Sequence, residues 1–208
     1  MFVRFKGKRE DEKILPVEEY VTMLKSAKAD YERDFVLLWL TGMVGGRLQE
    51  MVELSTADVD LKNCFLRRRL EKKDEALGTE YRATALSSRL IEPIRAYVQR
   101  CKGYLFPGER GGHIHWRTGQ EIFHRHHPEC GLGHSFHSLR HLHGSLAFEA
   151  VWDLLYAKWR LGHQAETVTE QYVIWAWKRR DSEVVQEKLE PLLEKYGILS
   201  VVVGTRPK

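Results

Sequence analysis

Apolar residues recur with a helical period along most of the chain. In PVEEYVTMLKSAKA, Val17, Tyr20, Val21 and Leu24 fall at i, i+3, i+4 and i+7 behind Pro16, with acids in the first turn, which predicts an amphipathic helix over 16–29. Residues 32–43 are apolar on nearly every face, the pattern of a buried helix, and Val44-Gly45-Gly46 interrupts it before helical spacing resumes over 47–54. Between Cys64 and Leu86 the period changes: Phe65 to Leu70 and Tyr81 to Leu86 flank a polar turn containing Gly78, which predicts a β-hairpin. Helical spacing returns over 90–101, and after the short apolar run Tyr104-Leu105-Phe106 it predicts helices at 118–127, 138–150, 152–161, 168–177 and 181–196. The expected fold is α+β, mainly α, with one small antiparallel β-sheet formed by the hairpin at about 64–86.

Composition narrows the class. The chain has 208 residues, which at roughly 100 to 200 residues per domain means one domain or one domain with a small appendage. Hydrophobic residues at 43% supply a core, so a disordered chain is excluded, and no internal repeat is present. No apolar run reaches the roughly 18 residues needed to span a bilayer, so no membrane partner is expected. The N-terminal MFVRFKGKREDEK lacks the apolar stretch of a secretory signal, and a cytoplasmic location is expected. Three cysteines, Cys64, Cys101 and Cys130, without a CxxC pair, fit a reducing compartment and argue against a disulfide framework. A net charge of +4 permits a polyanionic partner without demanding one, so the location of the positive charge decides.

Three groups of residues carry possible chemistry. Arg47 and Glu50 lie at i, i+3 where two glycines free a helix start, and His137 and Arg140 lie at i, i+3 on another helix, a proton-handling group beside a planar phosphate clamp. Leu161-Gly162-His163 is followed nine residues later by Tyr172. Arg67, Arg68, Arg69, Lys72 and Lys73 concentrate positive charge on the hairpin, where it can track a DNA backbone by releasing counterions. The other histidines, His113, His115, His124, His126, His127 and His134, with Cys130, match no pair-plus-pair zinc template, and no metal site is expected.

Read in order, VGGRLQEMVELSTADVDL, the basic hairpin, LFPGERGG, HSFHSLRH and LGHQAETVTEQY make the chain resemble the catalytic domain of the tyrosine recombinases, the phage-integrase family, from about Leu15 to Tyr172. The resemblance implies that Arg47 and Arg140 hold the non-bridging oxygens of one phosphate, that Tyr172 is the nucleophile, that His137 assists its deprotonation, and that His163 donates to a phosphate oxygen. A tyrosine hydroxyl with a pKa of about 10 is a poor nucleophile at neutral pH, so such assistance is required. The family's hairpin Lys, which protonates the departing 5′ oxygen, corresponds to Lys72 or to its neighbour Lys73; ungapped counting from Asp58-Val59-Asp60 favours Lys72. Attack leaves a 3′-phosphotyrosine and a free 5′-hydroxyl, and because the ester conserves the bond energy, neither ATP, metal nor another cofactor is needed. The implied partner is double-stranded DNA, from the nucleoid or a mobile element.

The organisation expected is a short basic segment at 1–14, the catalytic domain at 15–180, and a helix and tail at 181–208. Family members carry an N-terminal clamp domain, so the chain is either a minimal single-domain recombinase of the fimbrial-switch kind or a piece of a longer integrase. Gly46 and Arg140-His141-Leu142-His143-Gly144 depart locally from the family pattern. Val184, Val185, Leu189, Leu192 and Leu193 sit at helical spacing, which predicts that the tail docks on a neighbouring protomer in a tetramer on DNA. A type IB topoisomerase and a catalytically silent DNA-binding regulator remain alternative readings.

Overall fold

A computed structural model of the chain describes residues 15–74, 79–109, 111–127, 134–162 and 180–201, with the backbone alone for 71–74 and 79–80. Helix α1 (Val17–Asp30) buries Tyr20, Met23, Leu24 and Ala27, while Val17 and Val21 lie at the margin of that face and are only partly buried. Helix α2 (Glu32–Val44) is buried continuously from Asp34 to Val44, as its apolar composition requires, and forms the centre of the core. The Tyr20 hydroxyl donates to the Leu38 carbonyl at 3.1 Å, which fixes α1 against α2.

Short α3 (Leu48–Val52) follows, then a 3₁₀ turn (Thr56–Asp58) and the strands β1 (Val59–Asp60), β2 (Phe65–Asp74) and β3 (Thr79–Ala85). The predicted hairpin is present, but the sheet has three strands, because Val59 pairs with Leu66 and Asp60 with Phe65. Two residues are too few to show an alternating pattern, so β1 left no period to read. The β2–β3 register runs regularly from Phe65↔Ala85 to Arg69↔Tyr81 and then slips before Asp74↔Thr79. A bulge of this kind breaks the parity by which a side chain's face is counted along a strand.

Helices α4 (Ser88–Arg100), α5 (Trp116–His126), α6 (Phe136–Val151) and α7 (Leu154–Leu161) complete the middle of the chain. Side chains define several starts: Ser87 accepts from the Leu90 N–H, His115 from the Arg117 N–H, and Asp153 from the Leu155 and Tyr156 N–H groups. The Trp39 indole donates to the Leu90 carbonyl at 2.9 Å and ties α2 to α4. Trp152 does not begin a helix as its spacing predicts; it ends α6 in the left-handed region at φ 55°, largely exposed, because Asp153 is the better cap for α7. Among the described residues, no helix is long and apolar enough to cross a membrane.

The C-terminal stretch is helical from 180, passes through a π-helical segment (Val185–Leu189) into α8 (Glu190–Lys195), and closes with a 3₁₀ turn (Leu199–Val201). Val184, Val185, Leu189 and Leu193 are buried in the chain's own core, with Leu192 partly buried against it. The tail's apolar stripe is therefore covered in cis by neighbours such as α6, and the feature that suggested docking on another protomer is already occupied. Asp181 anchors this arrangement: its carboxylate accepts from the Tyr156 hydroxyl (2.9 Å), the Ala85 N–H (2.9 Å) and Arg160 Nη1 (2.9 and 3.0 Å).

Candidate active site

The α2–α3 junction brings the first arginine into place. Gly45 ends α2 in the left-handed region at φ 63°, with its N–H bonded to the Thr41 carbonyl at 2.8 Å. A Cβ there would meet His143 Cδ2 at 2.5 Å, so glycine is required both for the turn and for the approach of α6. Two residues later Arg47 caps α3; its N–H donates to Glu50 Oε2 at 3.1 Å and its Nη1 to Glu50 Oε1 at 2.9 Å.

Glu50 is almost wholly buried and also accepts from Arg68 Nη1 at 2.5 Å. Burial pushes its carboxyl up, but the charges and hydrogen bonds of Arg68 and Arg47 outweigh that and hold it below the usual carboxylate range. Arg68 thus departs from the expected role. Its side chain is 0% exposed, bonded to Glu50 and, through Nη2, to the Arg160 carbonyl at 3.0 Å, so it cannot reach a DNA backbone. Strand alternation explains the difference: Arg67 and Arg69 point outward and are exposed, with Arg67 over the Tyr81 ring at 5.2 Å, while Arg68 points inward.

Arg140 reaches back from α6 and donates through Nη1 to the Gly45 carbonyl at 2.6 Å. Its Nη2 is buried and meets no acceptor among the described residues. Burial, then the nearby charges of Arg47 and Arg68, lower its pKa to about 10, which leaves it charged at neutral pH and crowded by cations. One turn earlier, His137 is exposed, with its ring edge-on to His141 at 4.8 Å between centroids. Partial burial and the charges of His141, Arg140 and Arg47 lower its pKa, favouring the neutral imidazole that can take up a proton. Arg82 lies behind this group, donating to the Trp159 carbonyl at 2.6 Å, and Gly162 ends α7 at φ 78° with Arg82 Nε 3.3 Å from where a Cβ would be.

The structure therefore brings Arg47, His137 and Arg140 around one cationic corner in which Glu50 is the carboxylate holding Arg47. His163 and Tyr172 lie outside the described residues, as does the helix expected at 168–177. Lys72 and Lys73 are in β2, between Arg69 and Asp74 where the register slips, and their side chains are not described. Sequence reasoning missed the inward role of Arg68 and the buried Arg160–Asp181 pair. The alternation Leu66, Arg68, Leu70, which puts Arg68 among core residues, was the available signal for the first.

The model of the phage integrase family matches residues 13–177. The chain belongs to the phage integrase family. A tyrosine recombinase XerC of Bifidobacterium longum is 28% identical over 161 residues, covering 69% of this chain and 44% of that protein. Among solved structures, an integrase from mycobacterium phage Brujita aligns with a TM-score of 0.65 at 20% identity, over 96% of this chain and 67% of that one. A lambda integrase tetramer bound to a Holliday junction aligns with a TM-score of 0.58 at 21% identity, over 75% of this chain and 48% of that one. At such identities the structural likeness establishes the fold, that of a tyrosine recombinase catalytic domain. This phage integrase family member spans about half the length, or less, of the curated relatives it matches.

Proposed function

We propose that the chain is the catalytic part of a site-specific DNA recombinase that cleaves and rejoins double-stranded DNA through a 3′-phosphotyrosine at Tyr172. The observation that carries this reading is the unmatched donor of Arg140: a buried guanidinium nitrogen with no acceptor among the described residues, in a corner where burial and the charges of Arg47 and Arg68 lower the Arg140 pKa. Such a site gains most from a dianionic or monoanionic oxyacid, and two planar forks suit the two non-bridging oxygens of a phosphodiester. As the phosphorus passes through a five-coordinate transition state, charge builds on those oxygens, and donors fixed in advance by Glu50 and Gly45 stabilise it without reorganising.

In this reading His137, kept neutral, accepts the tyrosine proton. His163 donates to a phosphate oxygen. Lys72 or Lys73 protonates the leaving 5′ oxygen. Arg67 and Arg69, together with Lys73, contact the DNA backbone, and Arg68 is replaced in that role by its structural bond to Glu50. Strand exchange requires several active sites on one DNA complex, so a homo-oligomer, a tetramer on DNA, belongs to the proposal. The contact between protomers must use surface other than the buried stripe of Val185, Leu189 and Leu193.

The test is a denaturing pull-down of the tagged chain from cells that contain its native DNA, with wild type and Tyr172→Phe compared and the attached DNA sequenced. DNA retained by wild type and absent from Tyr172→Phe supports the mechanism and reveals the site. Equal retention by both refutes Tyr172 as nucleophile, and none from either favours a DNA-binding regulator.

A further inference from the structure

Three ligand-type atoms converge away from the arginine corner, on elements the proposed chemistry does not use. Glu19 extends from α1, His127 follows the last residue of α5, and His134 lies two residues before α6 begins. His127 Nε2 is 3.0 Å from Glu19 Oε2, His134 Nδ1 is 3.6 Å from the same oxygen, and the two ring nitrogens are 3.4 Å apart. Both imidazoles are nearly buried. Glu19 Oε2 is itself buried and, among the described residues, accepts no hydrogen bond, although a ring nitrogen lies so close.

Those separations match the spacing of ligands around one metal ion. With bonds of about 2.0 to 2.1 Å, tetrahedral ligands stand about 3.3 Å apart. A triangle with sides of 3.0, 3.4 and 3.6 Å has a circumradius of about 1.9 Å, so a single ion can lie about 2.05 Å from all three atoms, roughly 0.7 Å out of their plane. That height is the one a regular tetrahedron gives. The ring planes of His127 and His134 stand at 80°, which separates their lone-pair directions, and Phe123 stacks on His127 at 22° and holds its orientation. Sequence spacing hid the site because one ligand comes from α1, more than a hundred positions before the other two.

We infer that Glu19, His127 and His134 form a binding site for a divalent first-row transition ion, zinc in the cell. Two imidazoles and a carboxylate suit zinc and disfavour magnesium or calcium, which take all-oxygen shells. The ion clips α1 to both ends of the α5–α6 connection. Because His134 lies two residues before the helix that carries His137 and Arg140, the clip steadies the start of that helix and takes no part in phosphoryl chemistry. The fourth position is left to solvent.

The test uses the untagged full chain, stripped with a chelator and shown by circular dichroism to remain folded. Titration with zinc, and with cobalt(II) as a spectroscopic substitute, should give one ion per chain, the intense visible bands of tetrahedral cobalt, and a thermal midpoint that rises with zinc but not with magnesium. Glu19→Gln and His134→Ala should each weaken zinc binding by more than about a hundredfold, since even second-sphere changes cost roughly 10- to 100-fold. His124→Ala, an exposed histidine on α5, serves as the control and should bind as wild type does. A folded wild-type chain that takes up no zinc, or Glu19→Gln binding with wild-type affinity, overturns the assignment; should His134→Ala fail to fold, Glu19→Gln alone decides.

Discussion

Replacing Arg68 by Met separates a structural arginine from a DNA-contacting one. The Arg68 side chain is 0% exposed and faces Glu50, whose own side chain is 1% exposed, so the change leaves a carboxylate buried with one partner fewer. Breaking one side of a buried pair costs about 3 to 5 kcal/mol, far more than an exposed pair contributes. Taking a urea slope of about 2 kcal/mol per molar, the unfolding midpoint should fall by roughly 1.5 to 2.5 M. The double change Glu50→Gln with Arg68→Met removes both charges and should recover most of that loss, yet stay inactive, because Glu50 also orients Arg47 at 2.9 Å. Arg67→Ala and Arg69→Ala, at exposed positions, should leave stability within about 0.5 kcal/mol of wild type and lower the slope of log K against log salt by about one. Equilibrium urea unfolding and salt-dependent DNA binding, measured on the same proteins, supply the comparison. The reasoning fails if Arg68→Met unfolds within 0.5 kcal/mol of wild type, or about that, and loses DNA affinity as Arg67→Ala does.

Gly45→Ala should reduce DNA cleavage at least tenfold and cost about 1 to 3 kcal/mol, since φ 63° is strained for alanine and its Cβ meets His143 at 2.5 Å; normal cleavage by a normally stable variant would contradict the account of the junction. Asp181→Ala, which strands the buried Arg160, should destabilise by about 3 to 5 kcal/mol, and truncation after Arg180 should yield a chain that no longer unfolds cooperatively; a truncated chain with a sharp transition would show that the tail is dispensable. His143 is buried, and burial, reinforced by the Arg160 charge, holds its pKa well below the ordinary value. Its unfolded form takes a proton below about pH 6.5 while the folded form stays neutral, so stability is full above that pH and falls as pH drops, by up to about 1.4 kcal/mol per unit. Urea midpoints at pH 7, 6 and 5 should show this decline, and His143→Gln should flatten it; an unchanged slope would assign the decline to other groups.

The period of apolar residues alone determined most of the helices, the hairpin and the buried character of α2, because a helix or strand must turn its apolar side to a core and that requirement is written locally. The family pattern likewise made Arg47, His137 and Arg140 legible, since residues at i, i+3 share a helix face wherever the helix lies. Tertiary structure decided what those side chains meet. Whether Arg68 faced DNA or Glu50 depended on which side of β2 received the core, and the apolar stripe at Val185, Leu189 and Leu193 was open to another protomer until the chain's own helices covered it. Two-residue β1 was invisible because pairing, not pattern, makes it a strand. The meeting of Glu19 with His127 and His134 was hidden for the same reason: contacts between residues distant in sequence arise only when separate elements pack, and no local period records them.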